Sequence, residues 1–140
     1  MSSLSDSDIA ALHEALDDEY KAWATYDQVI EDFGLVRPFS NIRESESRHI
    51  DALLQIFSDF GLNPPETTWV GRSPRFDSIA AACAAAVQGE IENVELYERI
   101  IAGAKCPDLL AVFRNLHEAS QQRHLPAFRR CLNRHRSRDY

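Results

Sequence analysis

The sequence has no apolar run near the ~20 residues that a bilayer-crossing helix requires, which excludes a helical membrane span on composition alone. It opens without the basic-then-apolar pattern of an export signal, so a cytoplasmic location is expected. Positive charge is scarce: 15 Lys and Arg against 22 Asp and Glu leave a net charge of −7, which argues against nucleic acid as a partner. The basic stretch from Arg129 to Arg136 is read instead as complementing a helix C-terminus. Cysteine is also sparse. Cys83, Cys106 and Cys131 are an odd number with no Cys-x-x-Cys spacing, and they are read as reduced thiols. No segment alternates apolar and polar residues convincingly enough to predict a strand.

What remains is helical periodicity. Ser5 to Asp8 supplies capping residues, and Ile9, Leu12, Leu16, Trp23 and Ile30 recur on one face until Phe33-Gly34, which predicts a helix over about 7–33. Pro38 suits the first turn of a second helix over 38–60, ended by Phe60-Gly61. Residues 62–77 hold Pro64, Pro65, Gly71 and Pro74 without periodicity, and at ~3.3 Å per residue such a segment can run the length of a helix. Two further helices are predicted over 77–102 and 107–133, joined by a short loop. The expectation is one all-α domain over residues 1–140, a four-helix bundle of two antiparallel pairs joined by a long crossover. Trp69 and Val70 in the crossover offer an apolar contact for a partner chain, so a homodimer is a possible assembly.

The polar residues inside the stripes point to chemistry. Glu46 and His49 stand three apart, about one turn, in the middle of a stripe made by Phe39, Ile42, Leu53 and Phe57. Glu19 lies between Leu12, Leu16 and Trp23, and Glu90 between Cys83, Ala86, Val87 and Tyr97. Glu14, Glu92, Glu95 and Glu118 fall on outer faces. A buried carboxylate costs several kcal/mol unless compensated, and no inward Lys or Arg is available in any stripe. His49 and His124 do point inward, so divalent cations are expected to supply the remaining charge; a metal-free core with protonated carboxyls is the other solution. The halves also echo each other. Glu19 and Tyr26 are seven apart, as are Glu90 and Tyr97; Arg48-His49 recurs as Arg123-His124, and Phe39-x-Asn41-Ile42 as Phe113-x-Asn115-Leu116, which points to an internal duplication. From asparagine to histidine the spacing is eight residues in the second helix and nine in the fourth, so a π-bulge is expected just before Pro126.

Glu in the first helix, Glu-x-x-His in the second, Glu in the third and His in the fourth resemble the ferritin-like di-metal carboxylate superfamily. More narrowly, Glu19-Tyr20-x-Ala22, Pro38-Phe39-x-Asn41-Ile42, Glu46-x-x-His49-Ile50, Glu90-x-x-Asn93-x-x-Leu96-Tyr97 and Ala119-Ser120-x-x-x-His124-Leu125 are similar to a small prokaryotic ferritin-like family of unknown function. The resemblance implies two divalent ions, iron or else manganese, reacting with oxygen or peroxide as a ferroxidase or peroxidase. Its ligands are Glu19, Glu46, His49, Glu90 and His124, with Gln121 where the superfamily carries a glutamate. Two divalent ions facing three carboxylates leave about one positive charge uncompensated, so one ion is held weakly. A bulge that shifts the register substitutes Ser120 for Gln121. Ferritins resemble this arrangement in placing a Gln there, but the chain lacks the small fifth helix of the cages. Tyr26 and Tyr97 are the candidate catalytic residues, as carboxylate partners or electron carriers, and equally read as core tyrosines. His117 is a candidate donor behind the ligands. The alternative is a non-catalytic metal-binding or structural module. Cys83 and Cys131 each lie seven residues from a proposed ligand on oppositely running helices, so they are expected to be neighbours able to bridge on oxidation.

Overall fold

The computed structural model describes residues 4–136; the first three and last four residues lie outside it, as do the ends of the domain read over 1–140. The first helix, α1, covers Asp6–Phe33. Ser5 caps it: its hydroxyl accepts from the Asp8 N–H at 3.1 Å, and the Asp8 carboxylate accepts in return from the Ser5 N–H at 3.4 Å. It ends at Gly34, whose φ of 91° is the positive region that suits glycine. Helix α2 covers Phe39–Asp59, and α3 covers Ile79–Gly103 behind Ser78, whose hydroxyl accepts from the Ala81 N–H at 3.0 Å. Helix α4 starts at Pro107, where a missing N–H costs nothing, and runs to Ala119. A π-helical turn, Ser120–His124, follows and passes directly into α5, Leu125–Arg136. The fourth expected helix is therefore α4 and α5 joined through the bulge that the extra residue demanded. No strand occurs among the described residues.

Helix α1 packs on α2, α3 packs on α4 and α5, and α1 and α3 also touch, which makes an all-helical four-helix bundle. Its core is split. One apolar cluster gathers Leu12, Leu16, Leu53, Phe57, Leu109 and Phe113 at the end where α1 begins. The other gathers Tyr26, Val29, Phe39, Ala86, Phe128 and Cys131 at the end where α1 finishes. Between the two lies a polar layer, because each amphipathic stripe places its glutamate near the middle of its helix.

The segment joining α2 to α3 follows the surface of α1. Tyr20 donates its hydroxyl to the Pro65 carbonyl at 3.5 Å, Trp69 Nε1 donates to Asp17 at 3.0 Å, and Arg75 pairs with Asp32 at 2.6 Å. Trp69 thus folds back on its own chain, with Lys21 Nζ 5.4 Å from its ring centre, and only Val70 of the expected apolar pair remains strongly exposed.

Asp8 does more than close the capping box, since its second carboxylate oxygen accepts the Lys105 N–H at 3.0 Å and ties α1 to the loop between α3 and α4. Burial raises its pKa, but the hydrogen bonds from Lys105, Ser5 and Cys106 outweigh this and bring it below the ordinary value. Asp8→Asn is expected to destabilise the chain by about 1–2 kcal/mol in urea unfolding at pH 7. Folding lowers this pKa, so the Asp8 contribution is complete above the unfolded value of about 3.9 and fades as the folded carboxylate is protonated in stronger acid. The gap between the two proteins should accordingly close below about pH 4; a gap that persists there assigns the effect to packing instead.

Candidate metal centre

Five side chains converge in the polar layer, one or two from each arm of the bundle: Glu19 from α1, Glu46 and His49 from α2, Glu90 from α3, and His124 from the last residue of the π turn. Each is less than one-tenth exposed, and no Lys or Arg is buried among the described residues. Glu19, Glu46 and His49 form one group, and Glu46, Glu90 and His124 a second, each with ligand atoms all within 4.8 Å of one another. Glu46 belongs to both. Either group can hold a metal ion.

The groups differ in how far protein atoms already satisfy them. His49 Nδ1 lies 2.7 Å from Glu19 Oε2 in a hydrogen bond and 3.7 Å from Glu46 Oε1. His124 Nδ1 lies 3.0 Å from Glu46 Oε1 and 3.3 Å from Glu90 Oε1, yet both it and Glu90 Oε1 lack a properly directed hydrogen bond, as does Glu46 Oε2. Atoms aimed at a shared point rather than at one another suit a common cation. Ligands about 2.1 Å from an octahedral ion stand roughly 3 Å apart, which matches these separations. Hard carboxylates with imidazole also suit iron, manganese or zinc.

The electrostatics agree with a cation deficit. Burial, followed by the charges of Glu19 and Glu90, pushes the Glu46 carboxyl well above the ordinary range. Burial also raises Glu19, but the hydrogen bond and charge of His49, with help from Glu46 and Asn93, bring it below its ordinary value. Asp18, beside it on α1, is pushed up to about 6, chiefly by burial and against a hydrogen bond from Asn93.

Around the ligands stand partners to which sequence reasoning gave no such role. Ser45 Oγ lies 2.9 Å from His124 Nε2 and 3.4 Å from His49 Nε2, so one hydroxyl sits behind both imidazoles, whose rings stack 5.2 Å apart. Fixing the far nitrogen sets which tautomer faces the carboxylates. Asn93 donates to Glu19 Oε1 at 2.8 Å and to Asp18 at 2.6 Å, and accepts from Ser120 Oγ at 2.7 Å. The available signal was position: Ser45 is one residue before Glu46 and Asn93 is one turn after Glu90.

Three expectations need correction. Gln121 is exposed, with Gln122 as its hydrogen-bond partner, while Ser120 is buried and faces the layer. The π turn produces this, because its extra residue advances the helix phase and carries Gln121 outward. His117 does not back the ligands. It lies on the α4 side of the same turn, only half-buried, with Nε2 3.5 Å from Glu98. Cys83 and Cys131 are joined as a disulfide with Cα atoms 6.0 Å apart, rather than standing as free thiols; Cys106 is free and buried.

Tyr26 and Tyr97 are both buried, but only Tyr26 is bonded, donating its hydroxyl to Glu90 Oε2. Burial and then the Glu90 charge push its pKa well above 10, so it keeps its proton. Tyr97 is raised likewise, by burial first and then by the charge of Glu19, and its hydroxyl faces that carboxylate without a properly directed hydrogen bond. Beside Tyr26 a cavity of about 230 Å³ opens between α1 and α3, with Ala22, Phe76, Ala86 and Gly89 on its walls and Glu90 and Asn93 reached from it.

No protein family and no curated protein matches the chain. Solved structures do. A hypothetical protein from Methanococcus jannaschii, MJ0754, is 23% identical with a TM-score of 0.86, covering 96% of this chain and 85% of its own. A conserved hypothetical protein from Mycobacterium tuberculosis, rv2844, is 19% identical with a TM-score of 0.78, covering 91% of each chain. Likeness at this level establishes a shared fold.

The tyrosine asymmetry is testable in chelator-treated protein. Tyr26→Phe strands a buried carboxylate oxygen and should cost about 1–3 kcal/mol in denaturant unfolding, whereas Tyr97→Phe removes a hydroxyl that has no properly directed hydrogen bond and should cost less. Equal losses would mean that Tyr97 has a partner too.

Proposed function

We propose that this chain is a ferritin-like di-metal protein that would hold two divalent ions, iron or else manganese, with Glu46 contributing to both sites. Glu19 and His49 complete one side, and Glu90 and His124 the other. The observation that carries this reading is the sharing of Glu46 between two buried groups whose ligand atoms include three without hydrogen-bond partners. Such a pair of ions supplies two-electron chemistry with oxygen or peroxide, as in a ferroxidase or peroxidase.

The chain's own residues supply the setting. The two apolar clusters exclude water above and below the layer. Tyr26 holds a proton against Glu90 Oε2 and fixes that carboxylate's orientation. Ser45 and Asn93 hold the imidazoles and Glu19 from behind. The cavity between α1 and α3 gives a small oxidant a route to Glu90, which favours a reactive centre over a purely structural one, since structural metal sites are closed. With Ser120 rather than a carboxylate facing the layer, three glutamates leave two divalent ions with about one uncompensated positive charge, so the second ion is the weaker.

Titration with ferrous ion under argon, read by elemental analysis, tests the assignment. The native chain should bind two ions, His49→Ala should lose one, and Glu46→Ala should lose both with helix content unchanged. Ser120→Glu should tighten the weaker ion by roughly tenfold or more, because a full charge near 4 Å is little screened in a buried site, while Gln121→Glu should not. Two ions retained at unchanged affinity in both alanine variants would overturn the site.

A further inference from the structure

We propose that Cys83 and Cys131 form a redox-active pair that exchanges two electrons with the metal layer through Tyr26 and Phe128. The inference rests on the di-metal reading above and adds the source of its electrons. The two cysteines are bonded to each other and fully buried, in the apolar cluster that also holds Tyr26, Phe39 and Phe128. Cys83 is seven residues from Glu90 along α3, and Cys131 is seven from His124 along α5. Seven residues of helix advance about 10.5 Å, a distance that electrons tunnel readily. The intervening space is filled by aromatic rings: Tyr26 is hydrogen-bonded to Glu90 and has its ring centre 5.0 Å from that of Phe128, which stands one turn from Cys131. Cys106 lies in the opposite cluster and has no sulfur partner.

Both sulfurs are fully buried, so peroxide has no direct access to them, and their oxidation would proceed by electrons leaving through the protein. The electrons balance. Forming one S–S bond from two thiols releases two electrons and two protons; hydrogen peroxide takes up two of each and leaves as two waters. Ions held by the five ligands would carry the electrons between the two without net change, so the net reaction is one peroxide plus the dithiol giving the disulfide plus two waters.

The test counts thiols. The full chain is reduced under argon, freed of reductant, loaded with two equivalents of ferrous ion, and given one equivalent of hydrogen peroxide; thiols are then titrated in acid-quenched, denatured samples. The loaded chain should lose two of its three thiols, with the 83–131 linked peptide found by mass spectrometry. Metal-free chain and Glu46→Ala, given the same peroxide for the same time, should keep all three. Cys83→Ser should keep both remaining thiols and leave its iron ferric by optical spectrum, where the native chain returns to ferrous. Loaded iron with all thiols intact, or metal-free chain oxidised equally fast, overturns the relay alone. A chain that takes up no iron overturns the metal reading and the relay with it.

Discussion

Three carboxylates buried in one layer, with no buried Lys or Arg among the described residues to answer them, constrain everything else in this bundle. Like charges a few ångströms apart in a dry interior repel strongly, so each must share a proton, accept hydrogen bonds or meet a cation. The chain uses the second remedy for Glu19 and Glu90, through His49, Asn93 and Tyr26. Glu46 has less help. It lies at the centre, its Oε2 has no partner, and its carboxyl is forced toward the protonated form. The layer also divides the apolar core in two, and this fixes the phase of every helix: rotating any of them by one residue would turn a glutamate, or in the fourth arm His124, away from the layer.

The echo between the two halves of the sequence is only approximately kept in space, and the departures are where chemistry gains direction. Tyr26 on α1 donates a hydrogen bond to Glu90 on α3, but its counterpart Tyr97 faces Glu19 without a properly directed one. His49 is hydrogen-bonded to the carboxylate of α1, whereas His124 sits between two carboxylates without bonding to either. One half-site is thus closed upon itself by the protein, and the other is held open. An ion entering the second displaces no hydrogen bond of His124 Nδ1, while one entering the first must break the bond between His49 and Glu19. The two half-sites are chemically unequal although the residue types that build them match.

Much of this was legible because it depended on helical phase. Capping residues and glycines bounded the helices to within two residues at most ends, and the centre-of-stripe positions of Glu19, Glu46 and Glu90 translated directly into burial. The nearness of Cys83 and Cys131 followed from equal offsets on oppositely running helices, although the bond between them did not. Illegible were features set by a side chain's reach across helices. Ser45 and Asn93 are short polar residues at the edges of their stripes, and nothing local says that one hydroxyl meets two imidazoles, or that one amide ties α1, α3 and the π turn together. Trp69 read as an exposed apolar contact because its indole N–H finds Asp17 only once the connection lies along α1.

The π turn shows how one inserted residue reconciles packing with chemistry. Ala119 and His124 are both buried although five residues apart, and the Leu125 N–H bonds to the Ser120 carbonyl in the wider pattern of such turns. A regular α-helix continued from Ala119 would turn inward again four residues on, at Arg123, which is exposed as the chain stands. A guanidinium would then enter the layer in place of an imidazole. It would neutralise one carboxylate, but it has no lone pair for a metal and cannot be deprotonated. The widened turn excludes that cheaper solution. It brings in His124, a neutral ligand whose far nitrogen Ser45 can hold, and leaves Phe128 and Cys131 in phase with the apolar cluster beyond. No buried Lys or Arg among the described residues answers the charge of the three glutamates, and that deficit is what a pair of cations fits.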